Sequence, residues 1–172
     1  MENYLRFERL CEMSKPFFFY SHKKKGGELS QFYPCKFQVN GYKYCCAEQY
    51  MMAQKARLMG DRASFSKIMN EKNPMKIKSL GRRITPWNPK KWERNRFKIV
   101  LKGNMHKFEQ NPRLAKKLKG TGTRTIAEAA PKDKVWGIGI SFKDATTGKT
   151  WKGMNLLGKV LMKVRKKMNR KK

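Results

Sequence analysis

An α+β fold, built as one compact domain of several helices around a small mixed sheet, is what three features of the sequence predict. Short aromatic strands with turn signals fill the early part of the chain, helical spacing punctuated by Gly and Pro takes over in the middle, and alternation returns at residues 135–142 before a last amphipathic helix. At 172 residues the chain is long enough to bury a core without disulfide or metal staples. With 39% hydrophobic and 12% aromatic residues it is too rich in core-formers for a disordered basic tail protein.

Phe17 to Tyr20 reads as an aromatic strand and Lys23 to Gly27 as a basic turn. Phe37-Gln38-Val39-Asn40-Gly41-Tyr42-Lys43-Tyr44 reads as a hairpin about its Asn-Gly pair. Good helix formers then run from Ala47 to Met59, and Gly60 stops them at the C′ position. Further helices are expected from Arg62 to Met69, from Pro74 to Leu80 and, after a break at Pro86 to Pro89, from Lys90 to Met105. Asn111-Pro112 starts another. Val135 to Phe142 alternates like a strand, and Asp144 to Gly148 is a turn. Asn155 to Met168 is amphipathic: Leu156, Leu157, Val160, Leu161, Val164 and Met168 fall on one arc, while Lys159, Lys163, Lys166 and Lys167 fall on another. The expected divisions are an N-terminal extension at 1–16, a domain at 17–165 and a mobile basic tail at 166–172.

Charge is the strongest compositional signal. Forty-two Lys+Arg stand against twelve Asp+Glu, a formal net charge of +30. Residues 1–60 contribute +5, residues 61–120 contribute +14 and residues 121–172 contribute +11. A field of that size attracts polyanions with strong salt dependence, which makes DNA or RNA the default partner, and an acidic or nucleoprotein assembly a further one. No apolar run is long enough for a membrane span, and charges interrupt the first twenty residues where a secretory signal would need an apolar core. The expected location is therefore cytoplasmic or nucleic-acid-associated, a virion included, and not secreted. Cys11, Cys35, Cys45 and Cys46 lack zinc-site spacing and read as free buried thiols. No dense carboxylate or His/Cys cluster calls for a metal, and no cofactor is expected.

Among so few acids, Glu48 stands out because it sits in an apolar helical setting. Lys55 follows seven residues later, so Glu48, Met52 and Lys55 share a face with the two charges about 10 Å apart along the axis. A carboxylate in apolar surroundings can act as acid or base near neutrality, and a lysine in a positive field becomes a better nucleophile. The same pair also suits a first-turn carboxylate favouring the helix dipole and a solvated lysine. A second candidate is Asp133, which precedes Trp136-Gly137-Ile138-Gly139; glycines there allow close backbone approach, and Trp136 suits either stacking on a flat ring or core packing. Lys119-Gly120-Thr121-Gly122-Thr123 lacks Walker spacing, and His22 and His106 are too isolated for a triad.

Ala47-Glu48-Gln49-Tyr50-Met51-Met52-Ala53-Gln54-Lys55-Ala56, then Leu80-Gly81-Arg82, Trp92, Lys107-Phe108-Glu109-Gln110-Asn111, Asp133 with Trp136-Gly137, and Asn155-Leu156-Leu157-Gly158 together resemble the NADAR family, whose best-known type is the YbiA-like N-glycosidases. The resemblance spans roughly residues 17–165 in order. It implies a compact α+β domain that cleaves the N-glycosidic bond between a phosphate-bearing ribose and a base or amine. Family substrates include early riboflavin-pathway intermediates and ADP-ribose on guanine in nucleic acid. By match to the motifs, Glu48 and Asp133 would be catalytic acids and Lys55 the group attacking C1 of an opened ribose. Arg82 and Lys107 would hold phosphate, Trp92 and Trp136 would line the pocket with Gly137, and Asn155 and Gly158 belong to a substrate-side motif without an assigned task.

Two chemical routes fit those residues. Paired carboxylates can stabilise an oxocarbenium-like carbon and protonate the leaving nitrogen, and a lysine can form a Schiff base after ring opening. Where some relatives place an acid between the glycines, this chain has Gly137-Ile138-Gly139-Ile140. The resemblance does not itself require +30, and that excess tilts the reading toward modified DNA or RNA over a riboflavin intermediate. The alternative from another class is a non-enzymatic protein on the same fold that coats or packages nucleic acid.

Overall fold

In the computed structural model, which describes residues 15–170, Asn40 and Gly41 both take left-handed backbone angles (φ 49° and 82°). They close an antiparallel hairpin of β2 (Phe37–Val39) and β3 (Tyr42–Tyr44) with Phe37 opposite Tyr44, the turn that Asn-Gly favours. β1 (Phe17–Phe19) pairs instead with β4 (Ile126–Glu128), in parallel. The helices are α1 (Ala47–Met59), α2 (Arg62–Asn70), α3 (Pro74–Arg82), α4 (Pro89–Glu109), α5 (Pro112–Lys119), α6 (Phe142–Thr146) and α7 (Leu156–Arg170). The α+β class of the sequence reading stands, with its strands arranged as two separate two-stranded ladders.

Within the region read as one domain the chain forms two compact units. A central unit comprises residues 31–115, and a split unit joins the segment ending at Ser30 to the segment from Lys116 onward. In the central unit α1 packs against α2, α3 and α4. Its start is set by local chemistry: Cys46 at the N-cap is extended, and Gly60 at the other end is left-handed (φ 80°) with its N–H on the last carbonyls. α2, α3 and α4 are capped by Asp61, Asn73 and Asn88, whose side chains accept the N–H groups of Ser64, Met75 and Lys91. Phe37 stacks on Tyr44 at 5.5 Å, and Tyr50 of α1 meets Tyr44 edge-on at 5.1 Å.

In the split unit α7 and β1 pack on β4, and Ala127, Ala129, Ile138, Ile140 and Ala145 form a small core with Phe18 and Trp151 against it. The expected strand at 135–142 is absent. Gly139 is left-handed (φ 70°), which breaks the extension, and the carbonyls of Lys134 to Ile138 receive N–H groups from Lys152 and from Met154 to Leu157 in an irregular pairing. The partner of β1 is Ile126–Glu128, too short to show alternation. The expected turn at 144–148 is largely α6, capped by the Ser141 hydroxyl. Nor is the basic C-terminus a tail up to Arg170, since α7 runs through it. Lys171, Lys172, Cys11 and residues 1–14 of the expected N-terminal extension lie outside the described residues. Cys35, Cys45 and Cys46 are free thiols, the first and last buried and Cys45 half-buried. Among the described residues no helix is long and apolar enough to cross a membrane.

Candidate active site

Glu48 stands in the first turn of α1, 2% exposed, and its backbone N–H donates to the Gln31 carbonyl at 2.9 Å. The helix start is held by Gln49. Its Oε1 accepts the Cys45 N–H at 2.8 Å, and its Nε2 donates to the carbonyls of Ile68, Met69 and Glu71. A buried carboxylate is thereby carried on a backbone with little freedom to move.

Two turns on, the half-buried Lys55 donates from Nζ to the Gly81 carbonyl at 2.7 Å. The same ammonium lies 4.3 Å from the Trp87 ring centroid and 5.7 Å from that of Trp92, the two indoles being 6.5 Å apart. Burial pushes Lys55 below the ordinary lysine value; the Glu48 carboxylate opposes this, and the like charge of Arg82 adds to it. Glu48, Lys55 and Arg82 therefore share one electrostatic neighbourhood. Arg82 itself is exposed, in the last turn of α3.

The backbone that presents Gly81 to Lys55 leaves little room for a side chain at that position. A Cβ there would lie 1.9 Å from the Met52 sulfur, so any larger residue at 81 would displace the Met52 side chain that packs between α3 and α1. Trp92 enters from the first turn of α4, half-buried. Trp87 was missed by sequence reasoning, which took Pro86 to Pro89 only as a break. The usable signal was an aromatic residue directly before the Asn88 cap and Pro89, a place where a large side chain has no helix face to pack on; Trp87 is 45% exposed.

Lys107, expected to hold phosphate, is enclosed. It is 0% exposed, with its ammonium 5.0 Å from the Phe108 ring and 5.9 Å from the Tyr33 ring, and its charge lowers the thiol pKa of Cys35, which burial otherwise raises. Its ammonium lies inside the central unit.

The other expected residues belong to the split unit, and there the chain uses them on itself. Asp133 Oδ1 accepts the N–H groups of Val135 (2.9 Å) and Trp136 (2.8 Å), an Asx-type turn that sets the half-buried Trp136. The Trp136 carbonyl receives the Leu157 N–H at 3.1 Å, and at Gly137 a Cβ would lie 2.9 Å from the Glu128 oxygen. Asn155 is buried and left-handed (φ 52°), and its amide spans the β4 backbone, Nδ2 donating to the Ile126 carbonyl at 2.9 Å and Oδ1 accepting the Glu128 N–H at 3.3 Å. A Cβ at Gly158 would sit 2.0 Å from the Ile126 oxygen. Asn155 and Gly158 thus seat α7 on β4, a packing role for the motif to which the sequence attached no task.

A NADAR domain model matches residues 17–169. The chain is 48% identical to N-glycosidase R617 of Acanthamoeba polyphaga mimivirus over 87% of its own length and 93% of that protein. It is 30% identical to riboflavin biosynthesis protein VVA0006 of Vibrio vulnificus over 91% of its own length, which is 39% of that longer protein. The NMR structure of the Escherichia coli protein YbiA superposes with a TM-score of 0.77 at 27% identity, covering 91% of this chain and 86% of that one. With the domain model covering nearly all described residues and a relative 48% identical over 87% of the chain, this chain belongs to the NADAR family.

Proposed function

We propose that this N-glycosidase acts on a ribose that carries phosphate and is bonded through C1 to a base or amine, with ADP-ribose on guanine of DNA or RNA favoured over a free riboflavin-pathway ribosyl-amine. The observation that carries the reading is the surroundings of Lys55: an amine with its pKa lowered by burial, held against a carbonyl and two indole faces, with the Glu48 carboxylate and the Arg82 guanidinium in its field. The net charge of +30 supports the polymer over the free metabolite, since a small substrate needs only a local phosphate contact.

In this reading neutral Lys55 Nζ adds to C1 of the ring-opened sugar, and the Glu48 carboxylate takes up the protons that Nζ gives up and passes them to the leaving nitrogen, so that the C1–N bond to the base breaks and a C1=Nζ Schiff base remains. Water then cleaves the C1–Nζ linkage, releasing the sugar and restoring the amine. Arg82, exposed at the end of α3, holds phosphate, and Trp87 with Trp92 stacks on the flat parts of the substrate. Asp133 fixes the Trp136-Gly137 backbone as a positioning residue. Lys107 acts from beneath the surface by charge alone. A non-enzymatic coating role on this fold is not favoured, because relatives matching 87% of the chain, one of them 48% identical, are named as N-glycosidases.

The test is to incubate the protein with a guanine-ADP-ribosylated oligonucleotide and, separately, with a ribosyl-amine phosphate, each in the presence and absence of borohydride. Base release that disappears in Glu48→Gln, together with a reduced sugar adduct on Lys55 in mass spectra, is expected. Turnover that survives in Lys55→Ala would remove the covalent route and leave the paired-carboxylate route.

A further inference from the structure

A cleft of about 350 Å³ in the central unit is lined by Tyr42, Arg57, Gly60, Asp61, Arg62 and Phe65, none of which the chemistry above uses. Its walls are aromatic and cationic. Tyr42, 41% exposed, meets Phe65 edge-to-face at 5.5 Å, and the Arg57 guanidinium lies 5.4 Å from the Tyr42 ring and 5.7 Å from the Phe65 ring. Asp61 is the acid on the lining, and both of its oxygens are engaged with backbone: Oδ1 accepts the Ser64 N–H at 2.8 Å and Oδ2 accepts the Thr85 N–H at 3.0 Å. That second bond ties the cleft to the segment Thr85-Pro86-Trp87, whose indole covers Lys55.

A flat exposed ring beside two guanidiniums has the composition of a nucleotide subsite, the ring for stacking a base and the guanidiniums for its phosphate. Building such a subsite apart from Lys55, yet hydrogen-bonded to the segment that bears Trp87, serves a substrate longer than one nucleotide. We propose that this cleft binds a nucleotide flanking the modified one in a single-stranded nucleic acid, with Tyr42 stacking on its base and Arg57 and Arg62 contacting its phosphate. The assignment rests on the polymer reading of the substrate and names what that reading lacked, a place on the protein that tells a strand from a free metabolite.

The experiment measures anisotropy of a labelled, unmodified single-stranded oligonucleotide across a salt series, with the full chain and with Tyr42→Ala, Arg57→Gln and Arg62→Gln. Base release from the modified oligonucleotide and from the small ribosyl-amine phosphate is followed in parallel. Tyr42→Ala is expected to weaken strand binding at least about fivefold, and each arginine variant to lower the slope of log affinity against log salt by roughly one, with small-substrate turnover unchanged. Because Tyr42 also packs on Phe65, thermal unfolding of each variant accompanies the titration, and the exposed Arg57 and Arg62 carry the test if Tyr42→Ala is unstable. Unchanged strand affinity and salt slope in the folded variants would overturn the cleft, whatever the wild-type protein turns over. Strand binding weakened by the variants while the wild-type protein releases no base from the modified strand would keep the cleft and remove the polymer substrate.

Discussion

Glu48, Lys55 and Trp92 of the central unit are placed quite differently from the motif residues of the split unit. In the central unit Glu48, Lys55, Trp87 and Trp92 bring chemically distinct groups to one place: a buried carboxylate, a desolvated amine and two indoles. In the split unit Asp133, Gly137, Asn155 and Gly158 are bound to their own backbone or stand where backbone leaves no room for a side chain. A motif shared with a family therefore marks two different things. One is chemistry that must be presented, and the other is close packing that must be preserved.

Substitutions separate the two, and the largest effect is expected where chemistry is lost without packing. Glu48→Gln should lower kcat/KM by about 10²–10⁴-fold, equivalent to about 3–5 kcal/mol of transition-state stabilisation, with the thermal midpoint nearly unchanged. A variant that unfolds instead would place Glu48 with the scaffold.

Next comes packing without chemistry. Gly158→Ala drives a Cβ into the Ile126 carbonyl oxygen, a backbone atom that cannot swing aside, and should destabilise by about 3 kcal/mol or more in urea unfolding. Asn155→Ala leaves the Ile126 carbonyl and the Glu128 N–H without their partner and should cost about 1–3 kcal/mol. Kinetic constants measured on the folded fraction should match wild type. If kcat falls while the unfolding midpoint holds, the scaffold assignment of these two residues fails.

Asp133 sharpens the comparison most directly, since Asn retains the acceptor oxygen and Ala does not. Asp133→Asn should keep activity within about threefold of wild type, while Asp133→Ala should lose about 1–3 kcal/mol of stability. Loss in Asp133→Asn comparable to that in Glu48→Gln would make Asp133 a reacting acid.

The smallest effect is expected at Trp87. Removing the indole deletes a contact that favours the charged amine, but it also opens Lys55 to water, and burial is the dominant cause of its lowered pKa. The net shift is upward toward 10.5, so the neutral fraction at pH 7 falls. Trp87→Ala should reduce kcat/KM by about two- to fivefold at neutral pH and move the rising limb of its pH profile to higher pH. A pH profile that stays in place would detach Trp87 from the tuning of Lys55.

Local signals were legible where one stretch of chain settles its own structure. Asn40-Gly41 announced the hairpin, Gly60 ended α1, Pro74 opened α3 and the break at Pro86 to Pro89 preceded α4, because turn chemistry and capping act within a few residues. The shared face of Glu48 and Lys55 was legible for the same reason, since helical spacing alone puts them there. Residues 135–142 misled because Val, Trp, Ile and Phe alternate as a strand does, yet Gly139 turns left-handed and the carbonyls go to the segment leading into α7.

By itself, then, the sequence determined the α+β class, the bounds of α1, the Glu48–Lys55 spacing and the family, all of which rest on local propensity or on residues matched in order. Tertiary structure alone decided that Lys107 is enclosed, that Trp87 covers Lys55, and that Asn155 and Gly158 bind α7 to β4. Those outcomes depend on desolvation and on contacts between residues far apart in the chain, for which the order of amino acids carries no local mark.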